Sequence, residues 1–267
     1  MLWYECLILA ALGFGIGGLG TLIGIGGGAY LVPALILLYG FEPRLATGTS
    51  LFFVFLNVLS GSISYLRLKR VDVKLGLLLT VPTIPGAIIG AHLVGYIEHF
   101  MFRLIFAALL VWASLYLLIK PKGQSDTVKA GGYGRKIIDA SGKVYTYSIN
   151  IPLGLVTSFV AGFASSIFGI GGGVLHVPIM IHILGIPVHV ATATSHFILV
   201  FTTLFGSVTH SMLNNVSFEY AILLGLGGVL GAQVGARVSG LVGDVKIKRL
   251  LGLTLLLVAV RLVLQFR

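Results

Sequence analysis

The sequence predicts an all-α polytopic membrane protein built of two inverted-topology repeats, each a Gly-broken membrane hairpin followed by three transmembrane helices. Three observations carry this. Of 267 residues, 57% are hydrophobic and only 10% are charged, with a mean hydropathy of +1.05; an ordinary soluble domain has about 25% charged residues. The apolar runs are unbroken rather than alternating, which points to helices and away from a barrel in a solvent that offers backbone groups no water. Finally, the stretch IGIGGGAYLVP, Ile23 to Pro33, returns as FGIGGGVLHVP, Phe168 to Pro178, at an offset of 145 positions.

The same offset pairs other segments without a gap. ATGTSLF (Ala46 to Phe52) aligns with ATATSHF (Ala191 to Phe197), and GAIIGA (Gly86 to Ala91) with GAQVGA (Gly231 to Ala236). The chain therefore divides into a first membrane repeat, 1–120, a polar linker, 121–147, and a second membrane repeat, 148–267. Each repeat opens with an apolar run of more than thirty residues, 5–39 and 148–184. Three ordinary spans follow it, near 46–66, 75–95 and 102–119, then 191–211, 220–240 and 248–265; about 20 residues cross a bilayer.

Charge sets the orientation. Arg67, Lys69, Arg70 and Lys74 make the 67–74 loop basic, whereas its counterpart, Leu213 to Glu219, has no Lys or Arg. Conversely, the 96–101 loop lacks Lys and Arg, while 242–249 carries Lys246, Lys248 and Arg249. Basic loops stay in the cytoplasm, so the halves carry opposite bias, as in the inverted repeats of secondary transporters. The linker, with Lys120, Lys122, Lys129, Arg135, Lys136 and Lys143, belongs on the cytoplasmic side of the plasma membrane. Its segment RKIIDASGKVYTYS, Arg135 to Ser148, predicts a short β-hairpin turning at Gly142, read either as a flap or as a plain connection.

Parity then constrains the long first run of each repeat. It must enter and leave on one side, with the GIGGG turn at its tip. The second arm, 29–39, is only about 16 Å of helix, too short to span. A hairpin of two full spans with a shallower turn satisfies the same parity.

The turns are the candidate site: Gly24, Gly26, Gly27 and Gly28 in the first repeat, and Gly169, Gly171, Gly172 and Gly173 in the second. Helix-start N–H groups and the positive dipole end favour an anion, and glycine lets a ligand approach the backbone. Thr21, Ser165 and Ser166 can add hydroxyls. A second cluster, Thr47, Thr49 and Ser50 with Thr192, Thr194 and Ser195, reads either as helix N-caps or as site lining. Asn57 sits mid-span and must face protein or a cavity, and Thr202 and Thr203 hold the equivalent region. GAIIGA and GAQVGA read as close helix packing.

Other functions are constrained as well. All eight acidic residues fall at span ends or in loops, so no carboxylate is available mid-span for a cation or proton pathway. His176, His182, His189, His196 and His210 keep a metal-cation transporter in view, although His without Asp, Glu or Cys is a poor ligand set. His176 and His196 flank the turn and the hydroxyl cluster and are candidates for proton coupling. A non-transporting membrane scaffold is the third class. The single Cys6 excludes a disulfide framework. Nothing calls for a metal or a cofactor, no soluble basic domain suggests nucleic acid, and no catalytic motif suggests an enzyme. The expected partners are the bilayer and a small anionic substrate; a homo-oligomer is compatible with the sequence but not required by it.

With those residues in view, the chain resembles the sulfite exporter TauE/SafE family of membrane transporters. The resemblance rests on the doubled GIGGG-x-x-x-VP turn, the two A-T-x-T-S segments and the polar linker, and it covers nearly the whole length. It implies transport of a sulfur-containing anion such as sulfite, thiosulfate or an organosulfonate. The halves depart from symmetry at Gly48/Ala193, Leu51/His196 and Asn57/Thr202.

Overall fold

A computed structural model describes residues 3–119 and 133–264. The predicted linker cations Lys120, Lys122 and Lys129 lie outside these residues. The described chain is helical apart from one β-hairpin. In the first half, α1 (Trp3–Ile23) leads through the glycine turn into α2 (Gly28–Tyr39), followed by α3 (Pro43–Arg67), α4 (Val73–Leu93) and α5 (His99–Ile119). Strands β1 (Tyr133–Ile138) and β2 (Val144–Ile149) come next. The second half has α6 (Ile151–Phe168), α7 (Gly173–Pro178) continued by a π-turn (Ile179–Ile183), then α8 (Val188–Met212), α9 (Phe218–Ser239) and α10 (Asp244–Leu264). Among the described residues, six helices are long and apolar enough to cross a membrane: α1, α3, α4, α6, α8 and α9. The protein is an all-α polytopic membrane protein.

The second arm of each hairpin is short. α2 has 12 residues, about 18 Å. Its counterpart keeps α-geometry only as far as Pro178, the equivalent of Pro33, and then widens into the π-turn. Proline removes an N–H and crowds the preceding turn, so both arms carry a weak point at the same position.

The halves exchange partners. α1 packs on α9 and α6 on α4, with α3 and α8 crossing between them. Small residues permit this. A methyl group on Gly231 would come within 2.8 Å of Gly18 N, and one on Gly86 within 2.9 Å of Phe163 N. The GAIIGA and GAQVGA segments are therefore the faces on which α4 and α9 meet the opposite repeat, as small residues at helix interfaces lead one to expect. α3 and α8 run antiparallel: Gly48, near the start of α3, lies against His210, near the end of α8, while Gly61 lies against His196.

The linker hairpin is more than a connection. Its strands pair in register from Tyr133↔Ile149 to Ile138↔Val144, with Gly142 at φ 85° in the turn. It docks on the α3–α4 loop. The buried Asp72 carboxylate accepts from Tyr147 Oη at 2.7 Å and from Arg135 Nε at 2.7 Å, pairs also with the second Arg135 nitrogen, and caps α4 by accepting from Leu75 N. Ala140 N donates to Leu68 O at 3.0 Å, and Arg70 lies 3.5 Å from Asp139. Burial alone would raise the Asp72 carboxyl pKa. The hydrogen bonds from Arg135, Tyr147 and Leu75 outweigh burial and hold it below the ordinary carboxylate value.

Candidate functional site

Both turns have one backbone construction. Gly24, Gly26 and Gly27 have φ of 86°, 77° and 90°, and Gly169, Gly171 and Gly172 have 68°, 73° and 85°. These are left-handed values that only glycine adopts at little cost. The last glycine of each turn has a different reason. Gly28 and Gly173 have ordinary φ, but each meets the opposite turn: a methyl group on Gly173 would sit 2.5 Å from Ile25 Cα and 2.8 Å from Gly24 O, and one on Gly28 would be 2.8 Å from Ile170 Cα. The two turns touch, backbone to backbone.

Their depth follows from what they touch. A Cβ on either Gly26 or Gly171 would strike Val54 Cγ1, at 2.9 and 2.6 Å, with Leu199 Cδ2 next to it at 3.4 Å in both cases. Val54 and Leu199 each lie one residue before the centre of the 25-residue helices α3 and α8. The far ends of the turns reach one helical turn into the opposite repeat, Gly24 against Thr192 and Gly169 against Thr47. Every residue of both turns is buried. The turns thus lie within the span of α3 and α8, not at its ends.

At the start of each second arm, backbone donors remain unused. Tyr30 N and Leu31 N bond Gly27 O, and Leu175 N and His176 N bond Gly172 O. Neither arm has a side-chain cap, and among the described residues the N–H groups of Gly27, Gly28, Ala29, Gly172, Gly173 and Val174 meet no acceptor. Buried N–H groups left this way are uncommon and form the positive end of a helix dipole.

The hydroxyl clusters divide into two kinds. α3 begins at Pro43 and α8 at Val188, so Thr47 and Thr192 already lie inside their helices, and the N-cap alternative fails. Ser50 donates to Gly169 O at 2.7 Å, Ser195 to Gly24 O at 3.4 Å and Thr47 to Ile167 O at 3.4 Å. Thr192 returns its proton to Val188 O at 2.9 Å, with its methyl group against Gly24. These residues line the turns but spend their protons on carbonyls. Thr49 and Thr194 serve neither turn: their oxygens accept from Ser217 N and Asp72 N, each at 3.0 Å, and so pin the residues that open α9 and α4.

The two turns are surrounded by different polar side chains. On the first, Asn57 Nδ2 donates to Gly26 O at 3.0 Å and to Thr21 Oγ1 at 3.1 Å, and His196 Nε2 stands 3.3 Å from the same hydroxyl. On the second, Ser165 Oγ, Ser166 Oγ and His176 Nδ1 are buried without a hydrogen-bond partner. A methyl group on Gly172 would lie 3.4 Å from both His176 Nδ1 and Ser165 Cβ. His176 Nε2 faces Ser158 Oγ at 3.4 Å. At the first turn Asn57 Oδ1 and His196 Nδ1 are likewise buried without a partner, so unused polar atoms stand at both turns.

Of two supporting residues, Tyr65 escaped the sequence reading and His210 entered it only among the histidines weighed for a metal cation. Tyr65 Oη donates to Thr21 O at 2.7 Å, and His210 Nε2 donates to Ser166 O at 3.0 Å. The 145-residue offset pairs Tyr65 with His210 and Thr21 with Ser166, so one buried carbonyl is held by different chemistry in each half. That offset was the available signal. Among the described residues, no three His, Cys, Asp or Glu side chains gather to hold a metal.

A family model described as sulfite exporter TauE/SafE matches residues 9–262. The chain belongs to the sulfite exporter TauE/SafE family. Relatives within reach of it include the probable membrane transporter protein YunE of Bacillus subtilis, 34% identical over 97% of each chain. YdhB of the same organism, also described as a probable membrane transporter protein, is 26% identical over 87% of this chain and 89% of its own length. YfcA of Escherichia coli K12, described likewise, is 24% identical over 79% and 72%. No solved structure matches. The paired turns and both A-T-x-T-S segments fall within the region that the TauE/SafE model covers.

Proposed function

We propose that this membrane transporter is a secondary transporter of a small sulfur-containing anion, such as sulfite, thiosulfate or an organosulfonate. Two inverted repeats, 1–120 and 148–267, rock about the paired turns in the plasma membrane, and the 121–147 linker lies in the cytoplasm. The observation that carries the reading is the meeting of two helix starts at mid-span, with unpaired N–H groups and no carboxylate beside them. Both turns contribute to the binding, the second through Gly172, Gly173, Ser165, Ser166 and His176, the first through Gly27, Gly28 and the unpaired Asn57 Oδ1 and His196 Nδ1. An anion there replaces water with fixed donors on neutral groups, at a charge cost that a mid-membrane cation without carboxylates would not recover. His176 and His196 are the candidates for proton coupling. Because the turns are buried and in contact, loading the site requires them to part toward one face at a time.

The deciding experiment is a thermal-shift screen of the purified chain with sulfite, thiosulfate, sulfate, sulfoacetate, taurine and divalent metals at two pH values, followed by flux in reconstituted vesicles. A sulfur oxyanion is expected to stabilise the protein and to be carried, and Gly27→Leu, placed at φ 90°, is expected to abolish flux while the protein remains monodisperse. Full flux through that variant, or stabilisation by metals alone, sinks the proposal.

A further inference from the structure

A cavity of about 290 Å³ opens where the linker hairpin meets the starts of α4 and α6, lined by Lys74, Leu75, Leu78, Tyr133, Arg135, Ile149 and Ile151. Its lining is amphiphilic. Four aliphatic side chains and one tyrosine form the walls, two cations stand among them, and no carboxylate is part of it. Arg135 already serves Asp72. Lys74 is exposed, and among the described residues no carboxylate lies within ion-pair distance of it. On the α4 side of the cavity Leu78 is 38% exposed, and Val81, one turn further along the helix, is 68% exposed.

We propose that this cavity binds an anionic phospholipid of the cytoplasmic leaflet. The phosphate sits against Lys74 and the outer edge of Arg135, the Tyr133 ring covers the glycerol region, and an acyl chain descends along Leu78 and Val81. Three features favour this occupant. The site lies at a membrane-interface depth, where tyrosine and basic residues collect. Juxtamembrane cations attract anionic headgroups. A soluble phosphate compound would leave the aliphatic walls without a partner. The proposal rests on the cytoplasmic placement of the linker but not on the identity of the transported anion. Because Arg135 also holds Asp72, a bound lipid stiffens the hairpin's dock on the α3–α4 loop.

The test uses the full chain, delipidated in detergent, with native mass spectrometry and thermal shift as readouts. The probes are dioleoyl phosphatidylglycerol, dioleoyl phosphatidylcholine and glycerol 3-phosphate. Phosphatidylglycerol is expected to remain bound and to raise the thermal midpoint, phosphatidylcholine to bind at least fivefold more weakly, and glycerol 3-phosphate to do nothing. Lys74→Glu, which suits the first turn of a helix and should fold, is expected to weaken phosphatidylglycerol binding at least fivefold while leaving any stabilisation by sulfur oxyanions unchanged. Equal binding of the two lipids, an equal effect of glycerol 3-phosphate, or undiminished lipid binding by Lys74→Glu overturns the site. Loss of the oxyanion response in the wild-type chain overturns the transport reading instead.

Discussion

Replacing Gly173 by alanine asks whether the two turns really bear on one another. Gly173 has ordinary helical φ, so the substitution adds no backbone strain; helix propensity alone would make it favourable by up to about 1 kcal/mol. What the added methyl group meets is the other repeat: Ile25 Cα at 2.5 Å, Gly24 O at 2.8 Å and Ile25 C at 2.9 Å. Ordinary contact starts near 3.4 Å, so the turns must part by close to 1 Å, and all three neighbours are backbone atoms that cannot rotate away. Overpacking of this kind typically costs about 1–3 kcal/mol. The expected result is a lower thermal midpoint in detergent together with loss of vesicle flux. Gly185→Ala is the control for an added methyl group at a strained glycine, because Gly185 has φ 74° and nothing within 4 Å; it is expected to lose some stability but to keep flux. If Gly173→Ala matches the wild type in both midpoint and flux, the turns do not pack as described and the shared site fails with them.

Four further outcomes are expected. Asp72→Asn should cost about 3 kcal/mol, because it leaves Arg135 without its charge partner in a mostly buried setting. Since the folded pKa of Asp72 is depressed, that stabilisation is fully present above the ordinary carboxylate value and disappears as pH falls through the folded one. The gap in denaturation midpoint between wild type and variant should therefore stay level from about pH 8 to about pH 5 and shrink below about pH 4. Thr49→Val should destabilise by about 1 kcal/mol by removing the acceptor for Ser217 N, with ligand-induced thermal shifts unaltered, because Thr49 faces a loop. Tyr65→Phe should cost about 1 kcal/mol, since the Thr21 carbonyl loses one of its two donors and keeps only Gly24 N, measurable as a midpoint change. Ser141→Cys in a Cys6→Ser background should react with a membrane-impermeant maleimide from the cytoplasmic side only; labelling from the outside would reverse the assigned orientation.

What could be read from the one-dimensional sequence followed from solvent and repetition. Apolar runs in lipid have to be helices, so the helices and their approximate limits were legible, as were the doubled turn and the packing role of GAIIGA and GAQVGA. The offset of 145 residues also marked which positions should be equivalent. The resemblance to the TauE/SafE family, carried by Gly24 to Pro33, Gly169 to Pro178 and the A-T-x-T-S segments, was legible for the same reason.

Contacts between distant segments were not legible, because sequence fixes which residues are polar but not which carbonyl or charge they will meet. Thr47, Thr49 and Ser50 look alike in sequence; only the packing of α3 on α6 and on the α8–α9 loop sends Thr47 and Ser50 to the second turn and Thr49 to Ser217. The glycines of each GIGGG are equally alike, yet Gly172 is required by its φ and Gly173 by the approach of Ile25. Asp72 read as a loop carboxylate and became buried once Arg135 and Tyr147, more than sixty residues away, closed over it. Sequence by itself determined the helices, their number per repeat and the place of the break, because those depend on local chemistry and on lipid. The tertiary structure alone decided that the two breaks meet, and that unsatisfied polar groups gather around them, because both facts depend on how one repeat packs into the other.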